Sequence, residues 1–372
     1  MAMKKPEARD ATDSAPLSFC TLRVAPEPAI PPGLSDGRAR AMVVIGNKWA
    51  NGTVLRFYFF DQLADQSELV PGSGNQVTWV GDDGNREVVR SAFQKWKELG
   101  IGLVFEEVAD RNQADIRIGF QLGDGSWSYV GKGIRGHSRN DRTMNFGWDL
   151  AQNDYGLTTA LHEIGHTLGM PHEHQNPSAG IEWDEERVYQ HFASPPNRWG
   201  RETTQYNVLR KLSTGEIEGS AWDPDSVMHY EMAAGLIVEP SAFAGGVFPP
   251  GTLSAADKAF GLRWYPTIDG PLPKLKPFES ARVSVAAGQQ VNYELVVSET
   301  RSYTIATFGS VDTLLTLFDD GEGSLEFIKG DDDSGTDRNA QVVVPLVQGR
   351  TYIVRVRLYH ANHTGEFAVM CS

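Results

Sequence analysis

His162-Glu-Ile-Gly-His166-Thr-Leu-Gly169-Met-Pro-His172 is the stretch on which the reading of this chain turns. Residues four apart on an α-helix differ by about 40° around its axis, so His162 and His166 face the same way. Two imidazoles placed like this can reach one Zn²⁺. Glu163 lies beside them, close enough to take a proton from a zinc-activated water without ligating the metal. Gly169 is where the helix has to stop. Glycine takes the left-handed conformation of a helix C-terminus at little cost, and Pro171 forbids continuation. The chain then turns back, so that His172 can supply a third ligand. Three protein ligands leave one position open, which is the arrangement of a catalytic zinc site and not of a structural one.

Working outward, Asp154 to Leu168 reads as a helix with Leu157, Leu161, Ile164 and Leu168 along one buried stripe. Upstream, Thr53 to Phe60 has the β-branched and aromatic content of a strand. Arg86 to Leu99 places Val89, Phe93, Trp96 and Leu99 at helical spacing, with Gly100 as a stop. Ala114–Phe120, Ser126–Gly131 and Thr143–Phe146 read as further strands. Downstream, Glu173 to Gly251 is irregular apart from short helical stretches near Glu185–Phe192. Ser254 has the position of an N-cap for a helix running to about Tyr265. Strands and helices without strict alternation predict an α+β domain.

Thr267 to Pro277 reads as a stiff linker. Beyond it six short strands are predicted, over residues 291–297, 303–307, 314–318, 341–346, 352–359 and 367–370, as in an all-β sandwich. The expected division is an N-terminal arm or pro-segment (1–40), a catalytic domain (41–266), a linker (267–277) and a β-sandwich (278–372).

The 372 residues include 48 acidic and 34 basic side chains, a net charge of −14. A field of that sign repels nucleic-acid phosphates and anionic membrane surfaces. No apolar run approaches the roughly 20 residues of a spanning helix, and the N-terminus has no apolar signal core. The two cysteines, Cys20 and Cys371, make neither a disulfide framework nor a Cys-based zinc site, although one bridge between them stays open.

The histidine segment resembles the metzincin signature, His-Glu-x-x-His-x-x-Gly-x-x-His, and Ser226-Val-Met-His-Tyr230 resembles the methionine turn of those enzymes. The turn's ending in His-Tyr is similar to the astacin family. So are Glu173 directly after the third histidine, Ser126-Trp-Ser-Tyr-Val-Gly131, and Leu253-Ser-x-x-Asp257. The resemblance implies a metzincin-type α+β catalytic domain, a twisted mixed sheet plus an active-site helix, with Met228 supporting the histidines. It implies that Tyr230 is a fifth zinc ligand, able to swing away and stabilise an oxyanion. It also implies that Ser126, Trp127, Ser128, Tyr129, Val130 and Gly131 form an edge strand that pairs with an extended substrate, and that Glu173 pairs with a new N-terminus. Two departures, Gln175-Asn-Pro177 in place of Arg-x-Asp-Arg-Asp and the lack of catalytic-domain cysteines, indicate a microbial astacin-like branch. The tail, with Asp312-Thr-Leu-Leu-Thr-Leu-Phe-Asp319, Asp331-Asp-Asp-Ser-Gly335 and Gly349-Arg-Thr-Tyr-Ile-Val-Arg-Val356, resembles the pre-peptidase C-terminal domain of secreted bacterial peptidases, which implies secretion.

The expected function is zinc-dependent hydrolysis of peptide bonds in extended polypeptides, with Glu163 as acid/base. Two other readings are a surface-binding protein with a vestigial metal site and a metal-dependent amidase acting on something other than protein. Cys20, in Ser18-Phe-Cys-Thr-Leu22, is a candidate zymogen latch, because a thiolate is a good zinc ligand. A plain buried or exposed thiol is the competing reading. Asp331-Asp332-Asp333 is either part of a Ca²⁺ site or a solvated acidic turn. His137, His174, His191, His229, His360 and His363 have no ligand spacing and read as ordinary surface or hydrogen-bonded histidines.

Overall fold

Strand β1 (Val54–Phe59) forms because its alternate large side chains are wanted on both faces. Leu55, Phe57 and Phe59 enter the main catalytic core, while Tyr58 joins a smaller cluster with Phe60 and Ala114. These facts come from a computed structural model that describes residues 18–23, 48–49, 53–61, 66–68, 76–212, 221–267, 271–286, 289–321, 324–360 and 363–372. Most of the N-terminal arm, Arg38 and Arg40 included, lies outside the described residues.

After β1 come helix α1 (Asp83–Lys97), β2 (Val104–Glu107), β3 (Ile116–Gly119), β4 (Trp127–Ser128) and β5 (Met144–Asn145). They form a mixed five-stranded sheet in the order β2-β1-β3-β5-β4, parallel except for β4. Asp82 caps α1 by accepting from Asn85 N, and Val89, Ala92, Phe93 and Trp96 are its buried face. Phe93 stacks on Phe57 of β1, ring centroids 4.4 Å apart. Trp96 Nε1 donates to Leu161 O at 3.1 Å, which fastens α1 to the helix bearing the histidines, α2 (Tyr155–Thr167). Helices α3 (Glu185–Ala193) and α4 (Ala255–Trp264) follow the expected positions. Ser254 caps α4 in a reciprocal box with Asp257.

The predicted strand Ser126–Gly131 is shorter than expected. Only Trp127–Ser128 is extended strand, and Gly131, at φ +53°, opens a 3₁₀ segment to Gly136. Gly133 N donates to Val130 O, which closes that turn and takes Val130 and Gly131 out of the ladder. The strand lies at the sheet edge.

The C-terminal region is all-β: β6 (Ser280–Val285), β7 (Gln290–Val296), β8 (Arg301–Phe308), β9 (Thr313–Gly321), β10 (Ser324–Asp331), β11 (Gln341–Leu346), β12 (Thr351–Leu358) and β13 (Gly365–Cys371). Two antiparallel sheets, β6-β13-β8-β11 and β7-β12-β9-β10, share one apolar core. The end of the linker packs against this unit. Leu275 is buried in the core, and the backbone of Pro273 and Leu275 pairs with Glu294 of β7. The two regions touch through Arg355 of β12, which is fully buried, with Nη1 donating to Lys48 O at 2.6 Å and Nε donating to Asn292 Oδ1 at 2.8 Å.

Two alternatives that the sequence left open are narrowed here. Cys20 and Cys371 are not bridged; both are free thiols, and Cys371 belongs to the β core. At the acidic turn, the Asp331 carboxylate accepts from Ser334 N, Ser334 Oγ and Gln341 N. It therefore serves as a turn cap, and among the described residues no group of three or more His, Cys, Asp or Glu ligand atoms gathers at Asp331–Asp333. No helix of the described residues is long and apolar enough to cross a membrane.

Candidate active site

Helix α2 carries His162, Glu163 and His166 into the interior, and all three are buried. Gly169 ends it at φ +95°, and Met170 N then reaches back to Gly165 O at 3.0 Å, a Schellman closure. The reversed chain delivers His172, also fully buried. His162 Nδ1 donates to Val227 O and His166 Nδ1 to Met170 O, each at 2.7 Å. A carbonyl only accepts, so both Nδ1 atoms are protonated and both Nε2 atoms present bare lone pairs. Burial holds His162 down at about 4, and burial followed by neighbouring imidazoles holds His166 and His172 well below the ordinary range. All three are neutral, the form that binds a metal.

His166 Nε2 and His172 Nε2 lie 3.2 Å apart, and Cys20 Sγ is 3.5 Å from the first and 3.6 Å from the second. The four donor atoms of Cys20, His162, His166 and His172 all fall within 4.8 Å of one another. Tetrahedral bonds of about 2.0–2.1 Å put ligand nitrogens roughly 3.3 Å apart, so the set fits one Zn²⁺. Glu163 is fully buried beside it, its carboxyl pushed well up by burial, and the Cys20 thiol is a polar neighbour. Burial, then Glu163, push that thiol up as well.

The methionine turn is fastened from below. Asp257 accepts from Ser226 Oγ at 2.6 Å, Val227 N at 2.8 Å and Ser254 N at 2.9 Å, which ties the cap of α4 to the turn that positions His162. Met228 packs against Gly165 so closely that a Cβ there would lie 2.3 Å from Met228 Sδ. Gly165→Ala is therefore expected to destabilise the fold by about 1–3 kcal/mol through overpacking. Thermal unfolding of the metal-free protein measures it, and an unchanged midpoint would mean that Met228 does not support the helix. Glu173 N donates to Met228 O, and its Oε1 accepts from Asn176 Nδ2 and Asp223 N, both at 3.0 Å. Burial raises its carboxyl to about 7.

Residues 18–23 lie across this site. Tyr230 donates its hydroxyl hydrogen to Cys20 O at 2.5 Å, and Tyr155 donates to Ser18 O at 2.8 Å. Thr21 N donates to Ser126 O at 3.0 Å, occupying the start of the edge strand. Phe19 N and Leu22 N are held by the side-chain oxygens of Asn197 and Asn207 at 2.9 and 2.8 Å. The Phe19 ring packs between Phe192 and Tyr230, and Arg23 lies over Trp127.

The sequence profile of the Matrixin family matches residues 74–183. Karilysin of Tannerella forsythia is 29% identical over 157 residues, 37% of this chain and 29% of karilysin. Protein SpAN of Strongylocentrotus purpuratus is 29% identical over 153 residues, 40% of this chain and 22% of SpAN. This chain thus spans under a third of the length of either relative. The solved structure of myroilysin is 33% identical, covers 60% of this chain and 97% of its own, and superposes with a TM-score of 0.51. This chain belongs to the metzincin-type metallopeptidases.

Within this metzincin, the structure brings together His162, Glu163, His166, His172, Met228, Tyr230 and Cys20. The Tyr230 hydroxyl is engaged by the arm, donating to Cys20 O. Asn197 and Asn207, which hold the arm, were not found from the sequence, since lone asparagines in an irregular stretch give no signal. His174 and His229 are ordinary hydrogen-bonded histidines, to Asn207 O and Tyr230 O, yet both are buried against the site's ring cluster.

Proposed function

We propose that this protein is a zinc-dependent endopeptidase of the astacin-like kind, made latent by Cys20. The observation that carries the reading is the convergence of three neutral imidazoles on one point beside a buried carboxyl. His162, His166 and His172 would hold the zinc, which when bound acidifies a water and polarises the scissile carbonyl. Glu163 takes the proton from that water and hands it to the leaving nitrogen. Tyr230, once released from Cys20 O, would donate its hydroxyl to the oxyanion, and its phenol would be available to the metal between turnovers. The edge at Ser126 accepts an extended substrate's N–H as it accepts that of Thr21, with Trp127, Ser128 and Tyr129 continuing the rim.

Latency follows from the arm. Cys20 takes the position that the water needs, and its 3.5 and 3.6 Å approaches to His166 and His172 support a thiolate ligand. Cleavage near Arg38 or Arg40 would free the site, and the new N-terminus would pair with Glu173. The boundaries 1–40, 41–266, 267–277 and 278–372, a β-sandwich of the pre-peptidase C-terminal type, and secretion belong to the same reading.

Digestion of casein or gelatin by the Cys20→Ser chain, with and without a zinc chelator, tests it. Chelator-sensitive cleavage is expected, whereas a surface-binding protein would cleave neither and an amidase for other substrates would leave both intact. Tyr230→Phe is expected to keep its zinc and its KM while turnover falls by about 10²-fold, because the phenol acts in the transition state. Steady-state kinetics on a short peptide measure this, and an unchanged kcat would make Tyr230 a packing residue only.

A further inference from the structure

Beside the metal donors opens a cleft of about 270 Å³ walled by Trp148, Tyr155 and Pro249, with His162 and Glu163 at its inner end. The Trp148 and Tyr155 rings lie near-parallel with centroids 6.1 Å apart, so both contribute aromatic surface to its wall. Two carboxylates, Asp154 and Glu231, also line the cleft, and no Lys or Arg does so among the described residues. Burial, then the Glu231 charge, push the Tyr155 phenol up, which places that carboxylate in electrostatic reach of the aromatic wall. In this structure Ser18 O accepts from Tyr155 OH, so the arm covers the entrance and its departure uncovers it.

We infer that this cleft selects substrates with Lys or Arg on the C-terminal side of the scissile bond. The inference rests on the peptidase reading above. Glu163 hands its proton to the leaving nitrogen, so the cleft that it walls receives the side chain of the residue bearing that nitrogen. A Lys or Arg stem covers the Trp148–Tyr155 wall and carries its cation to Asp154 and Glu231. A Glu or Asp side chain in the same place meets like charge with no partner, which is how a site rejects as well as selects. Glu231 and Asp154 are then the specificity-determining residues.

The test uses the full chain with Cys20→Ala, loaded with zinc, and two peptide hydroxamates identical except for Arg or Glu next to the chelating group. The Arg compound is expected to bind at least about tenfold more tightly, and the gap should narrow in both Glu231→Gln and Asp154→Asn. Equal binding, tighter binding of the Glu compound, or a gap untouched by either substitution would overturn the inference. Casein digestion by the same preparation keeps the two claims apart. Digestion without a basic preference sinks only this inference, while a basic preference in binding without any digestion sinks only the peptidase reading.

Discussion

Glu163→Gln is expected to lower peptide hydrolysis by about 10²–10⁴-fold while zinc content stays near one per chain. The side chain is fully buried and outside the set of metal donors, so its replacement by an isosteric amide removes the proton carrier and leaves the ligands in place. The buried carboxyl is pushed upward, which suits a group that must accept a proton and later release it. Both quantities are read in the Cys20→Ser background, by steady-state kinetics on a peptide and by elemental analysis. Retention of more than about a tenth of the parent activity would remove Glu163 from the reaction.

Cys20→Ser should raise the activity of the full chain by about tenfold or more under reducing conditions, since a tethered ligand acts at a local concentration of order millimolar. The gain should be incomplete. Thr21, Phe19 and Leu22 stay hydrogen-bonded to Ser126, Asn197 and Asn207, and Tyr230 still donates to Cys20's backbone oxygen. A chain that begins at Ala41 should therefore be more active still. Equal hydrolysis by all three proteins would mean that the arm crosses the site without controlling it.

The site was legible in the sequence because its donors are local. His162, Glu163 and His166 share one helix face, and Gly169 with Pro171 dictates the reversal that returns His172. The methionine turn lies some sixty residues on, but its own short pattern marks it. Parts whose partners are far apart in sequence were harder to find. Nothing local marks Asn197 and Asn207 as the clamps of residues 19 and 22. Strands β6 and β10 escaped for a different reason. Only Val283 and Val285 of Ser280–Val285 are buried, and β10 is a sheet edge interrupted by Lys329 and Gly330, so neither has the apolar content of an inner strand. The docking of the linker's end was not legible because Leu275, a single apolar residue among prolines and lysines, is what places it on β7.

X-ray absorption spectroscopy of the zinc-loaded full chain, in reducing buffer, tests the central claim most directly: a single zinc centre built by three histidines and closed by the arm. One zinc per chain with three nitrogen scatterers and one sulfur is the predicted spectrum, with the sulfur lost in Cys20→Ser. A centre with no sulfur in the full chain would contradict the latch, and a chain that binds no zinc would contradict the account as a whole.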